Sequence, residues 1–550
     1  MSAKVISAEL LAKMFLAGAK YLENNKEYIN ELNVFPVPDG DTGTNMTLTI
    51  LSAAKEVNNL TETNMVTVCK AVSGGSLRGA RGNSGVILSQ LIRGFTKVAS
   101  NYNELDIAIL DEAAQKAVKT AYKAVMTPKE GTILTVAAGV ARKAEQLHMA
   151  GCDDMEAYLK GIVDEADRVL QTTPDLLPVL KEAGVVDSGG QGLVEVLRGA
   201  YDAFCGKEID LSFSNPQKKK EKEPPKEELK FTYSAEFEVI LGRNFNIKNE
   251  MDLKEYLESI GDAISLTVEG ETVKISMNTN DPGLPLQKGL KYGDLNGIQI
   301  KNLKLKDKAG NSVATPEAAP VAPAPKKNEP KKKYGFIAVS IGQGINEIFT
   351  SLGVDYIISG GQTMNPSTED MLTAIDQVNA ETIFILPNNK NIIMAANQAR
   401  DLTSDKQIIV IPTKTIPQGI TAVINFMSES EAEENEASMN EGIENVKTGQ
   451  VTYAVRDTVI DNHEIHENDY MGIGDKGIIS VGTERDVVTL DMIKELVDDD
   501  TELISVYYGE DVSEEEASAF HKKLEEEFSS VDIELQYGGQ PIYYYVISVE

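Results

Sequence analysis

Asn33-Val-Phe-Pro-Val-Pro-Asp39-Gly-Asp41-Thr42-Gly-Thr44-Asn45-Met46 sets two carboxylates two residues apart in a loop of prolines and glycines, directly before a helical stretch. A hard dication takes oxygen ligands and keeps several waters, so one or two carboxylates plus substrate phosphates complete a magnesium shell. Asp39 and Asp41 are therefore candidate metal ligands. Further along, Gly79-Ala-Arg81-Gly-Asn-Ser84-Gly85 lies between helical patterns, and Gly131-Thr132 follows Pro128-Lys-Glu130. Bare amides and hydroxyls at helix N-termini suit phosphate oxygens. Asp-Gly-Asp alone also serves in ordinary turns, because Asp bonds its own backbone and Gly supplies positive φ. No Gly-x-x-x-x-Gly-Lys-Ser/Thr run occurs, so a nucleotide site here is not a P-loop.

Around this loop, from Ser7 to about Phe204, apolar residues recur at helical spacing, as in Ile107, Leu110, Ala114, Ala117, Val118 and Ala121. This predicts an all-helical domain with the glycine loops between helices. Pro216–Glu228 has no apolar residue except proline and reads as a linker. Phe231 to about Leu305 alternates polar and apolar residues around a helical Met251–Ile260 stretch, predicting a small α+β domain. Ala314–Lys333, rich in alanine, proline and lysine, reads as a second linker. Beyond it, strand-like runs such as Phe336-Ile-Ala-Val339 and Thr382-Ile-Phe-Ile-Leu386 alternate with helical ones, an α/β pattern with a parallel sheet. Ile504–Ile547 reads as a β-α-β-β appendage. Gly342-Gln-Gly344 follows a strand, but Glu347 stands at the third glycine position, so a tight turn is expected there rather than a dinucleotide site. The expected divisions are 1–205, a 206–229 linker, 230–312, a 313–333 linker and 334–550.

With 550 residues the chain exceeds one hydrophobic core. A net charge of −32 disfavours nucleic acid and an anionic membrane face as partners. Neither a signal peptide nor a run of eighteen apolar residues occurs, which predicts no membrane span and a cytoplasmic protein. Cys69, Cys152 and Cys205 lie far apart and are expected to be buried reduced thiols. The acidic Glu429–Glu436 run is expected to be an exposed mobile loop.

Pro38–Met46, Gly79–Gln90, Glu130–Thr132 and Val186–Gly192 resemble, in order, the nucleotide-binding domain of the dihydroxyacetone kinase family. Gly361–Thr368, Leu386–Asn391, Ile411–Lys414 and Tyr537–Pro541 resemble the C-terminal part of the fatty acid kinase ATP-binding subunit. The resemblance implies an eight-helix barrel that binds ATP and magnesium, with Asp39 and Asp41 as metal carboxylates. Asn33 lies near the family's third carboxylate. Thr42, Thr44, Asn45, Met46, Ser84, Gly85 and Thr132 fall on matching phosphate-side segments, and Asp187 on the segment closing over the adenosine. It further implies a separate fatty-acid-binding carrier protein, with the C-terminal α/β region as its dock, and an acyl phosphate product for phospholipid synthesis. A homodimer is expected.

A fatty acid carboxylate, with a pKa of about 4–5, is already ionised at neutral pH, so no catalytic base need be found. Arg81 is the candidate cation for the transferring group; a helix-surface arginine paired to a carboxylate is the alternative. The pattern offers no single region built as a lipid tunnel. Two other readings are a non-catalytic ATP sensor and a dihydroxyacetone kinase nucleotide-binding subunit. In the middle domain the resemblance leads one to expect a Cys plus His-x-His zinc set. Ser234, Ser276 and Asn278 stand at those three positions, so no zinc is expected there.

Overall fold

The computed structural model describes residues 4–34, 39–125, 127–211, 213, 233–241, 253–254, 256–257, 261–269, 272–279, 282–302, 331–361, 364–454, 458–460, 463–475 and 477–550. The expected linkers (apart from 206–211, 213 and 331–333), residues 35–38 of the opening run and most of Met251–Ile260 lie outside the described residues.

The N-terminal region carries α1 (Ala8–Asn24), α2 (Lys26–Glu31), α3 (Thr42–Asn58), α4 (Met65–Arg78), α5 (Gly82–Ala99), α6 (Ile107–Ala124), α7 (Ile133–Met149), α8 (Met155–Leu170), α9 (Thr173–Leu176), α10 (Pro178–Ala183) and α11 (Ser188–Phe204). Polar residues open them. Ser7 accepts from the Leu10 amide, Asp106 from that of Ile109, and Asn64 and Thr67 cap α4 reciprocally, satisfying amides that a helix start leaves unpaired. Eight helices run 14 to 18 residues. They pack in succession as α1, α3, α4, α5, α6, α7, α8 and α11, and α11 returns to α1. This closed ring is an eight-helix barrel. Leu22, Ile50, Val72, Leu88, Val136 and Tyr158 are buried within it, around an apolar cavity of about 270 Å³ that includes Met14, Leu91 and Val140 in its wall. The sequence pattern offers no such space, because each helix carries an ordinary apolar stripe and the void arises only where stripes face a common axis. The cysteines are all free, but only Cys69 is buried and Cys205 is exposed, which corrects the expectation of three buried thiols.

The middle region pairs β1 (Tyr233–Leu241), β2 (Gly261–Glu269), β3 (Thr272–Thr279) and β4 (Gly293–Asn302) into an antiparallel sheet of order β2-β3-β1-β4, with α12 (Gly283–Gly289) before β4. Phe237, Val239, Val273, Ile275 and Met277 alternate onto one apolar face, where Leu253 and Leu257 complete the core.

The C-terminal region alternates β5 (Lys332–Ser340), α13 (Gln343–Ser351), β6 (Tyr356–Ser359), α14 (Thr368–Gln377), β7 (Ala380–Leu386), α15 (Ile393–Leu402) and β8 (Gln407–Val410). The strands form a parallel sheet of order β6-β5-β7-β8. Continuous apolar runs such as Ile383–Leu386 are buried, as a parallel strand covered on both faces requires. After α16 (Ile416–Ile424) and α17 (Ala432–Glu444) come β9 (Lys447–Tyr453), β10 (Thr458–Ile460), β11 (His463–Ile465), β12 (Tyr470–Gly474), β13 (Gly477–Gly482), α18 (Arg485–Leu496), β14 (Leu503–Tyr508), α19 (Glu514–Glu527), β15 (Asp532–Tyr537) and β16 (Tyr545–Val549). A six-stranded sheet runs β13-β12-β9-β16-β14-β15. The terminal β-α-β-β unit is thus no appendage, since β16 pairs with β9 inside that sheet.

Two further expectations meet the structure here. The Glu429–Glu436 run is not a loop throughout: Glu431 and Glu434 form a reciprocal cap and α17 begins at Ala432, a place where acidic groups meet the positive end of the helix dipole. Gly342, at φ +106°, opens α13, and a Cβ there would lie 2.6 Å from the Gly538 carbonyl oxygen. The Gly342-Gln-Gly344 turn therefore admits the Tyr537–Gly539 segment, whose Gly538 carbonyl accepts from the Ile345 amide at 3.0 Å.

The helical and α/β regions belong to one compact unit, Met1–Ser214 with Ala322–Glu550, and Asn215–Val321 forms the other.

Candidate functional site

The glycine-loop segments meet at one end of the barrel. Gly82, at φ +57°, starts α5 against Asn45, where a Cβ would lie 2.5 Å from Asn45 Nδ2. Gly85 packs on the same turn of α3, whose Thr49 hydroxyl donates to the Asn45 carbonyl at 2.6 Å and accepts from the Arg81 amide at 3.2 Å. Met46 is fully buried against Gly192 of α11. Asn30 fixes Thr44 twice, accepting from its amide at 3.0 Å and donating to its hydroxyl at 3.1 Å. Thr42 is buried in the first turn of α3, and Ser84 is half-buried in the first turn of α5.

Asp187 caps α11. Its carboxyl accepts from the Gly190 amide at 2.6 Å and from the Ile133 amide, so one side chain ties the starts of α11 and α7. Burial pushes its pKa up to about 7. It faces two helix ends rather than open space. Thr132 caps α7 without a side-chain bond to that helix, and its hydroxyl donates to the Lys129 carbonyl at 2.8 Å.

Asp39 and Asp41 do not face solvent alone. Asn33 Nδ2 donates to Asp39 Oδ1 at 2.5 Å, and Asn391 Nδ2, from the loop after β7, donates to Asp39 Oδ2 at 2.6 Å. Asn365 Nδ2, from the loop after β6, donates to Asp41 Oδ2 at 2.6 Å. Burial and the neighbouring Asp41 carboxylate push the Asp39 pKa up to about 7. Arg81 joins the same contact: its guanidinium donates to the Asn365 carbonyl at 2.8 Å and lies 3.5 Å from Asp370. Arg81 thus meets a backbone carbonyl and, at longer range, a carboxylate of the C-terminal region.

Behind this polar layer the two regions lock together. The Thr368 amide donates to the Ala80 carbonyl at 3.1 Å, and Ala80, Val86 and Ala395 are buried together. Gln398, also buried, donates to the Leu77 carbonyl at 2.6 Å and accepts from Gln90 at 2.8 Å. Leaving either partner unsatisfied would cost about 1–3 kcal/mol, so the knot holds α15 on α5 in one register. On the far side of Asp39 a cavity of about 670 Å³, walled by both C-terminal sheets, has Asp39, Lys390, Asn391, Lys414 and Tyr543 in its lining.

Three models of known families match in sequence order: the DAK2 domain over residues 36–202, the middle domain of the FakA-like fatty acid kinase proteins over 230–309, and their C-terminal domain over 335–550. Protein YloV of Bacillus subtilis (strain 168) is 41% identical over 100% of both chains. The chain belongs to the FakA-like fatty acid kinase family. Among solved structures it is similar to the dihydroxyacetone kinase from C. freundii in complex with AMP-PNP and Mg2+ (16% identity, TM-score 0.29, 37% of this chain and 35% of that one). It is likewise similar to the Streptococcus pneumoniae Fatty Acid Kinase (Fak) B3 protein loaded with linoleic acid (12% identity, TM-score 0.29, 40% of this chain and 99% of that one). Both likenesses are slight.

In this FakA-like chain, no group of three or more His, Cys, Asp or Glu side chains converges among the described residues. What converges is two carboxylates and several carboxamides, an oxygen donor set that fits magnesium and leaves room for waters and phosphates. Asn83 Oδ1 and Asn365 Oδ1 are buried there without a hydrogen-bond partner. Asn365 and Asn391 are functional candidates that sequence reasoning missed. The signal for them is their place in the loops that follow parallel strands β6 and β7, since open α/β sheets bind ligands beyond the carboxyl ends of their strands.

Proposed function

We propose that the chain is the ATP-binding kinase subunit that phosphorylates a fatty acid, presented by a separate fatty-acid-binding protein, to an acyl phosphate used in phospholipid synthesis. The observation that carries this reading is the Asp39–Asp41 pair, held by the barrel on one side and by two C-terminal asparagines on the other, in a chain whose family is the FakA-like fatty acid kinases. Asp39 and Asp41 would hold magnesium, with Asn33 orienting Asp39. Bound there, magnesium would supply positive charge against the nucleotide phosphates.

This chain's own residues do the remaining work. Thr44, Asn45, Ser84 and Gly85, on the first turns of α3 and α5, line the phosphate side, where helix amides favour anions. Thr132 extends that side, and Asp187 keeps the starts of α7 and α11 together beside it. The acceptor carboxylate is already ionised and needs no base. The cavity walled in part by Asp39 gives an acceptor a way to the carboxylate pair. The C-terminal region serves as the carrier's dock. Catalysis is then positioning and electrostatics in a site drier than water.

A dihydroxyacetone acceptor has less support. Among the four histidines, His148 contacts Asp111 at 2.9 Å and His521 the Ile533 carbonyl at 3.2 Å, neither in the carboxylate site. Transfer of phosphate from ATP by the purified chain, with fatty acid, with and without candidate carriers, and with dihydroxyacetone as control, tests the reading. Carrier-dependent acyl phosphate formation is expected. Phosphorylation of dihydroxyacetone alone would overturn it.

A further inference from the structure

On the barrel, among the described residues, only Asp39 and Asp41 offer carboxylate oxygens at the loop, and Asn33 is engaged in donating to Asp39. The structure brings a further oxygen from elsewhere. Asn365 is 3% exposed; its carbonyl accepts from Arg81, its Nδ2 donates to Asp41, and its Oδ1 has no partner. A carboxamide oxygen buried without a partner forfeits about 1–3 kcal/mol, so such a group needs a reason. Its nearest counterpart is Asn83, whose Oδ1 is equally unpartnered and whose Nδ2 donates to Asn391 Oδ1 at 3.2 Å. Asn391 closes the circuit by donating to Asp39.

We propose that Asn365 is a metal-binding residue of this site, giving its carboxamide oxygen to the cation held by Asp41 and Asp39, with Asn391 as the positioning residue for Asp39. The proposal rests on the kinase reading only for the identity of the metal. A carboxamide presents donors on one side and an acceptor on the other, and a half-turn about its last torsion exchanges them. Beside a bare carboxylate the NH2 end faces Asp41; beside a cation the oxygen end is favoured. The unpartnered Oδ1 is the acceptor that this exchange uses. It follows that the α/β region completes the metal site, and that metal binding and the packing of α15 on α5 are linked: whatever stabilises one stabilises the other by the same factor.

The test uses the full chain without nucleotide and reads manganese binding by electron paramagnetic resonance, so turnover plays no part. Asn365→Ala is expected to weaken manganese about tenfold or more, and Asn391→Ala within the roughly 10–100-fold range of lost supporting groups. Asn365→Asp is expected to restore affinity and to show a larger manganese-induced rise in Tm than the wild type, because it trades repulsion of Asp41 for a third charged ligand. Manganese should also slow amide exchange on both sides of the contact, at Thr42–Asn45 and at Thr368–Met371. Wild-type manganese affinity in Asn365→Ala would overturn the proposal. So would an Asn365→Asp variant as weak as the alanine, which marks a packing role only. Should Asn365→Ala fail to fold, the aspartate variant and the exchange measurement decide. Metal binding that behaves as stated in a chain that transfers no phosphate would sink the kinase reading and leave this site standing.

Discussion

The guanidinium of Arg81 donates to the carbonyl oxygen of Asn365, 284 residues away, at 2.8 Å, and also lies 3.5 Å from the Asp370 carboxylate. An arginine spent on two partners from another region is positioned to hold that region in place. Arg81→Ala is therefore expected to lower Tm and to raise the magnesium concentration needed for half-maximal phosphate transfer, with kcat at saturating magnesium reduced by less than about tenfold. Loss of one transition-state cation would instead cost about 10³-fold or more in kcat. A magnesium titration of activity in wild type and variant separates the two roles.

Asp39→Asn and Asp41→Asn keep the shape of each side chain and remove its charge. Each is expected to abolish phosphate transfer. The metal-free Asp39→Asn protein is expected to keep its fold at pH 8: it gives up one of the two amide contacts that Asp39 accepts from Asn33 and Asn391, and is relieved of a charge that the neighbouring Asp41 disfavours. Thermal unfolding in the presence of chelator, beside the activity assay, checks both halves. Wild-type turnover in either variant at saturating magnesium would remove these residues as metal carboxylates.

The helical domain was legible because helical periodicity and glycine loops are local properties of a chain, and α3, α5, α7 and α11 begin within a residue or two of the loop motifs; its closure into a barrel was implied only by the family resemblance. The start of α17 was not, because a run of glutamates reads as a solvated loop until Glu431 and Glu434 are seen to cap each other. The contacts of Asn365 and Asn391 with the carboxylates were beyond local reading. The two asparagines meet Asp41 and Asp39 across 324 and 352 residues, and no periodicity encodes such a contact. Their loops stood out as motifs, Gly361–Thr368 and Leu386–Asn391, yet only the packing of α15 on α5 turns them toward the carboxylates.

Asp187 gives a pH dependence free of the metal loop. Its folded pKa is raised to about 7 by burial, against about 3.9 in an unfolded chain. Between those values the folded state keeps a proton that the unfolded state has released, so this group's contribution to stability falls as pH rises and levels off above about 7. Asparagine retains an oxygen for the Gly190 and Ile133 amides and has no charge to bury. Asp187→Asn is thus expected to unfold with the wild type near pH 4 and at a higher temperature than the wild type near pH 8. Tm profiles of the two proteins from pH 4 to 8 test this, and curves that stay parallel would contradict it.

The middle domain offers a prediction about what it does not hold. In the β1–β3 ladder position 234 pairs with 278, and 276 pairs with 236, so 234, 276 and 278 share one face of the sheet by register. That face is opposite the one bearing Val273, Ile275 and Met277, which carry the core. Two adjacent strands could present three ligands to one zinc ion from such positions, but here they are Ser234, Ser276 and Asn278. Neutral hydroxyls and a carboxamide lack the thiolate and imidazole that zinc selects. The domain is expected to fold without zinc, on its apolar core and its strand pairing. Elemental analysis of the purified protein after dialysis against a weak chelator, with the Tm measured before and after, decides the matter: stoichiometric zinc retained by residues 230–309, or a Tm that falls when zinc is stripped, would show that other side chains have taken over the ligation.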